Sequence, residues 1–182
     1  MDATSILIIS VLAVVIVGAI VGPILSSRRR SKQLRSQYGS EYDHTVEALG
    51  TEKKAQVELK ERKKHIATLN IRPLSMDERQ RYQTDWSAVQ AEFVDQPGKA
   101  TQDADHLIME VMQLRDYPVS DFEQRAADVS IQYPALVSNY RAARGIAVKN
   151  EHNEASTEEL RQAMIYYRSL FNELLKAEMV DA

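Results

Sequence analysis

From Ser5 to Leu25 the chain is apolar and carries no ionisable side chain. No polar stripe recurs in it at helical spacing, unlike the helices of a soluble core. As a helix, its twenty-one residues rise roughly 32 Å at about 1.5 Å each, close to the hydrocarbon thickness of a bilayer. A helix also closes its own backbone hydrogen bonds, which lipid cannot do for it. The pattern predicts a transmembrane helix.

Beyond it the pattern turns amphipathic. A continuation of the first helix through Lys32 to Tyr38 is expected to stop at Gly39, and a short segment with Tyr42, Val46 and Leu49 on one face ends at Gly50. Thr51 opens a charged helix with a narrow stripe of Ala55, Leu59, Ile66 and Leu69, the stem of Arg62 filling the gap, and Arg72-Pro73 breaks it. Three later helices are announced by capping boxes at Ser75–Glu78, Ser120–Glu123 and Ser156–Glu159. The first carries Met76, Tyr82, Trp86, Val89 and Phe93. The second carries Phe122, Ala126 and Val129, and the third Leu160, Ala163, Met164, Tyr167, Leu170, Phe171 and Leu174. Between them, one helix runs from about Gly98 to Leu114 and another follows Tyr133-Pro134. No segment alternates apolar and polar residues for long, so no sheet is expected.

Charge gives the pattern a direction. Arg28, Arg29, Arg30, Lys32 and Arg35 follow the apolar run, whereas only Asp2 precedes it. Basic residues beside a span stay on the cytoplasmic face, so the N-terminus is expected outside and the domain inside. The same cluster is a poor cleavage context, and no basic residue opens the chain as a signal peptide requires; a cleaved leader and a secreted helical protein form the weaker alternative. Residues 28–65 hold eleven Lys/Arg against six Asp/Glu, and residues 66–182 hold twelve against nineteen. The neck is therefore expected to lie on anionic headgroups. A nucleic-acid binder would put its basic face on the folded domain, so nucleic acid is not expected as a partner.

The remaining composition excludes more than it suggests. With no cysteine there is neither a disulfide framework nor a thiolate metal site. No nucleophile elbow and no glycine-rich phosphate loop occurs. Asp103, His106 and Glu110 share one helix face, but three ligands on a solvated face fall short of a metal site. His44, His65 and His152 stand isolated among charged residues. Trp86, Tyr82 and Phe93 read as core by their spacing. Gly18 and Gly22 form a Gly-x-x-x-Gly pair that can bring two transmembrane helices together as a homodimer.

The stretches Trp86–Pro97, Tyr117–Ser130 and Ala155–Met164, with Leu34–Asp43 after the basic neck, resemble a family of uncharacterised bacterial, actinobacterial-type single-pass membrane proteins. The resemblance implies a bacterial origin and the same architecture, and no activity. The expected fold is all-α: one N-terminal transmembrane helix followed by a small multi-helix bundle. Its parts are an anchor over 1–27, a basic neck with a charged helix over 28–72 and a helical bundle over 73–182. The expected role is a membrane-tethered interaction or scaffold protein of the bacterial cell membrane, with the lipid bilayer and a further protein as partners. No catalytic residue, cofactor or metal is assigned. The alternative is a ligand-sensing or enzymatic helical domain that uses Asp103, His106, Arg125 or Tyr140.

Overall fold

A computed structural model describes residues 29–176. The anchor over Ser5–Leu25, the pair Gly18 and Gly22, and Arg28 lie outside them. Among the described residues every regular element is an α-helix. None of these helices is long and apolar enough to cross a membrane. The chain divides into two compact units between Glu58 and Leu59.

In the first unit, α1 is helical over residues 29–38 and α2 spans Ser40–Leu49. The third helix, α3, begins at Glu52 and ends at Thr68. Gly39 (φ 54°) and Gly50 (φ 76°) take left-handed backbone on either side of α2, where a Cβ would be strained. Gly50 donates its N–H to Val46 at 2.8 Å and so closes the α2 C-terminus as its sequence position predicts. Ser31 Oγ donates to Glu52 Oε2 at 2.6 Å and accepts from Gln56 Nε2 at 2.9 Å, which ties α1 to the start of α3. Tyr38, Tyr42 and Ala55 are buried.

The second unit holds the rest of α3 and five further helices. These are α4 (Met76–Glu92), α5 (Pro97–Leu114), α6 (Phe122–Gln132), α7 (Val137–Glu151) and α8 (Thr157–Lys176). Two of the three capping boxes form as the spacing predicts. Ser75 and Glu78 bond reciprocally at 2.8 and 3.2 Å, and Ser156 and Glu159 do so at 2.8 and 3.3 Å. The third is shifted by one residue. Asp121 rather than Ser120 caps α6, accepting from the Gln124 N–H at 2.9 Å, while Glu123 turns out to Arg141. A carboxylate is the stronger acceptor at a helix N-terminus, where it also meets the helix dipole favourably. The helix expected to run to Arg72 stops at Thr68, and residues 70–75 run without regular structure into α4.

At the centre lies α8, the most strongly amphipathic of the sequence stripes, packed against α5 and α7, with α4 laid on α5. Leu170, Phe171, Leu174, Ile108, Val111, Met112 and Tyr140 are fully buried there, and Ile66 of α3 joins the same core. Trp86 of α4 stacks on Phe171 of α8, ring centroids 4.7 Å apart. Of the adjacent Tyr166 and Tyr167, Tyr167 is core and Tyr166 is rim, as two neighbours on one helix must be. Met76, read from the sequence as part of the α4 stripe, is 80% exposed. It occupies the first helical position, ahead of the turn that reaches the core.

Candidate functional site

The alternative catalytic set is not gathered. Asp103 is engaged by Lys99 at 2.7 Å, and His106 is exposed one turn away. Glu110 lines a separate hollow of about 460 Å³ with Arg72, Tyr82, Gln113, Leu114 and Asp116. Arg72 is already held there by both carboxylate oxygens of Glu78, at 2.9 and 3.0 Å. Among the described residues no three His, Asp or Glu side chains come together to hold a metal ion.

Arg125 and Tyr140 do meet, but inside the core. Arg125 donates Nε to the Tyr140 hydroxyl at 3.2 Å and Nη1 to the Val119 carbonyl at 3.2 Å. Burial, and then the charge of Asp105, push the Tyr140 hydroxyl up to about 12, too high to exchange a proton near neutrality. Tyr167 is raised by the same two causes. Asp105 itself is buried, with Arg144 3.5 Å from its Oδ2. Arg125, Tyr140, Tyr167 and Asp105 are buried between the helices.

Two further buried polar groups had no signature in the hydrophobic pattern. Arg115, just past α5, donates to the Leu174 carbonyl at 3.0 Å and to the Arg72 carbonyl at 3.1 Å. Asp128 is wholly buried on α6, accepts from Gln124 Nε2 at 2.9 Å, and has His65 Nε2 3.9 Å away. Burial raises its pKa, against the opposing hydrogen bond from Gln124. His65 is exposed, as its charged neighbours in sequence suggest, but it lies beside this buried carboxylate. His44 and His152 are exposed.

Of the basic cluster, Arg29, Arg30 and Lys32 are exposed, while Arg35 turns to Asp43 at 2.8 Å.

The surface feature that stands out is a groove of about 190 Å³ between α4 and α8. Trp86, Gln90 and Phe93 form its α4 wall, and Arg161, Met164, Ile165 and Arg168 form the α8 wall. Both sets follow helical spacing, i, i+4, i+7 on α4 and i, i+3, i+4, i+7 on α8, so each wall is one helix face. Trp86 and Met164 are the buried floor, while Ile165 is 52% exposed between the two arginines. Arg161 is paired with Glu158 one turn back; Arg168 is exposed and carries no ion pair among the described residues. No carboxylate lines the groove. Its volume falls below the 300–1,000 Å³ usual for small-molecule sites, and its open shape suits the side chains of a docked segment better than an enclosed ligand. The sequence held one signal for it: Ile165 falls off the core stripe of α8, an apolar residue flanked by Arg161 and Arg168 on a face that should be wholly polar.

Compared with protein-family models, with curated proteins and with solved structures, the chain matches none.

Proposed function

We propose that this protein is a membrane-tethered helical interaction module. The observation that carries the reading is the α4/α8 groove, where Ile165 is left half exposed above Trp86 and Met164 with an arginine on either side. Apolar hollows rimmed by charge mark surfaces that meet other macromolecules. The apolar run Ser5–Leu25 supplies the tether, the basic residues Arg28 to Arg35 supply the contact with anionic headgroups, and Gly18 with Gly22 supplies a face for pairing within the bilayer. The location that follows is the bacterial cell membrane, N-terminus outside and helical domain in the cytoplasm.

An enzymatic reading has less to stand on, because Asp103, His106, Arg125 and Tyr140 are spread between surface and core. The experiment is photo-crosslinking in native membranes from a probe placed at Ile165, with a second probe at exposed Val148 as the control. A discrete adduct from position 165 and none from 148 is expected. Equal labelling from both positions removes the reading. Mass spectrometry of the mature N-terminus tests the tether, and loss of the first residues would replace it with the secreted alternative.

A further inference from the structure

The α4/α8 groove has the chemistry to select its partner, and four classes of occupant can be weighed against it. A nucleic acid needs a run of cations, and two arginines are too few. A bilayer surface needs an apolar face that projects, whereas Trp86 and Met164 form a recessed floor. A second copy of this chain meets a like-charge penalty. Ile165 lies four residues after Arg161 and three before Arg168, so two α8 helices crossing antiparallel on Ile165 would set each arginine against its counterpart. The remaining class is a partner segment that brings its own carboxylates.

Charge across the unit favours that class. From residue 59 to 182 the unit carries sixteen Lys/Arg against twenty Asp/Glu, yet the charged side chains that line the groove are both arginines. An anionic segment meets a net negative unit and is attracted at these two arginines, which gives specificity as well as affinity. The walls are helix faces, so the segment that fits them best is another helix laid lengthwise.

We infer that the α4/α8 groove binds an acidic amphipathic helix of a partner protein, with its apolar side chains on Trp86, Phe93, Met164 and Ile165 and its carboxylates on Arg161 and Arg168. The inference rests on the interaction reading above and adds the chemistry of the partner. Arg161 and Arg168 are seven residues apart, about 10.5 Å along the helix axis. The partner helix therefore carries acidic residues two turns apart, with leucine-like anchors between them.

The test uses the full chain in non-ionic detergent and a synthetic helical peptide without tryptophan, bearing glutamates seven residues apart and leucines between them. A second peptide replaces each glutamate with lysine. Trp86 is the chain's single tryptophan and lines the groove, so its emission reports occupancy directly. The glutamate peptide is expected to shift the emission saturably, at least tenfold more tightly than the lysine peptide. The R161E/R168E double variant, altered only at exposed side chains, is expected to reverse that order, with its far-UV dichroism unchanged. Ile165→Asp is expected to weaken the glutamate peptide at least tenfold. Equal binding of both peptides, an order that survives charge reversal, or no shift with either peptide overturns the inference. Competition separates it from the broader reading. An Ile165 adduct in membranes that the glutamate peptide cannot displace leaves an interaction site standing and removes the acidic helix as its partner. Absence of any adduct specific to Ile165 removes both.

Discussion

The guanidinium of Arg115 donates to the carbonyl of Leu174 at 3.0 Å. Leu174 is buried on α8. A buried side chain 59 positions earlier in the chain thus reaches the α8 backbone. Its Nε also holds the Arg72 carbonyl, and Arg72 returns a backbone bond to the Arg115 carbonyl at 3.3 Å. One side chain fastens the end of α5, the α8 backbone at Leu174 and the irregular run into α4.

Arg115→Met keeps most of the apolar stem and removes every donor. The Leu174 and Arg72 carbonyls then lose this donor, at about 1–3 kcal/mol for each group left dry and unpaired. A destabilisation of roughly 3 kcal/mol is expected by urea denaturation. Arg115→Lys, which can keep one of the bonds, is expected to recover part of it.

The Trp86–Phe171 stack is the main aromatic link between α4 and α8. Phe171→Ala opens a cavity beneath the groove and is expected to cost about 3–5 kcal/mol. Trp86→Phe is expected to cost far less, about 1 kcal/mol. The indole N–H has no acceptor among the described residues, so that replacement breaks no hydrogen bond. Thermal unfolding of the two variants should rank them in that order.

Acid weakens two helix starts together. Hydrogen bonds from Arg72 and then the Ser75 backbone hold Glu78 at about 2, and bonds from Ser156 and Lys149 hold Glu159 at about 2, both below the ordinary 4.5. Their stabilisation is complete above pH 4.5 and is lost as pH falls toward 2. Both groups are solvent-facing, so added salt should shrink the effect. The double variant Glu78→Gln/Glu159→Gln is expected to flatten the dependence of the urea midpoint on pH in that window. An unchanged slope would assign the acid sensitivity to other carboxylates.

A close approach at Gly98 couples α5 to α7. A Cβ there would lie 2.7 Å from Asn150 Oδ1, and Asn150 Nδ2 donates to the Gly98 carbonyl at 3.2 Å. Gly98→Ala gains about 0.5–1 kcal/mol of helix preference and displaces a hydrogen bond of similar worth, so alone it is expected to be near neutral. In an Asn150→Ala background the conflict is gone, and the same change should stabilise by about 0.5–1 kcal/mol. A double-mutant cycle followed by thermal unfolding measures the coupling, and additive effects would refute it.

Much of this fold is written in the hydrophobic spacing. Leu160, Ala163, Met164, Tyr167, Leu170 and Phe171 mark α8, and the Ser75 and Ser156 boxes mark two starts, because both signals act within a few residues. The Asp121 cap was misplaced by one residue because Glu123 has a partner, Arg141, in another helix. Arg115, Arg125, Asp105 and Asp128 were illegible as core residues. Their burial depends on partners as far as 63 positions away, and composition assigns such side chains to the surface. The groove was legible only as the odd placement of Ile165, since its other wall comes from α4.

The position of α8 also sets an order of assembly. It fills the centre of the second unit, and a ribosome makes it after every helix it packs against. Until it emerges, Ile108, Val111, Met112 and Tyr140 have no lid, and Arg115 has no carbonyl of α8 to hold. The nascent domain therefore carries an open apolar trough from the synthesis of α5 and α7 until α8 emerges. A chaperone that shields such surfaces has its longest opportunity on this chain in that interval.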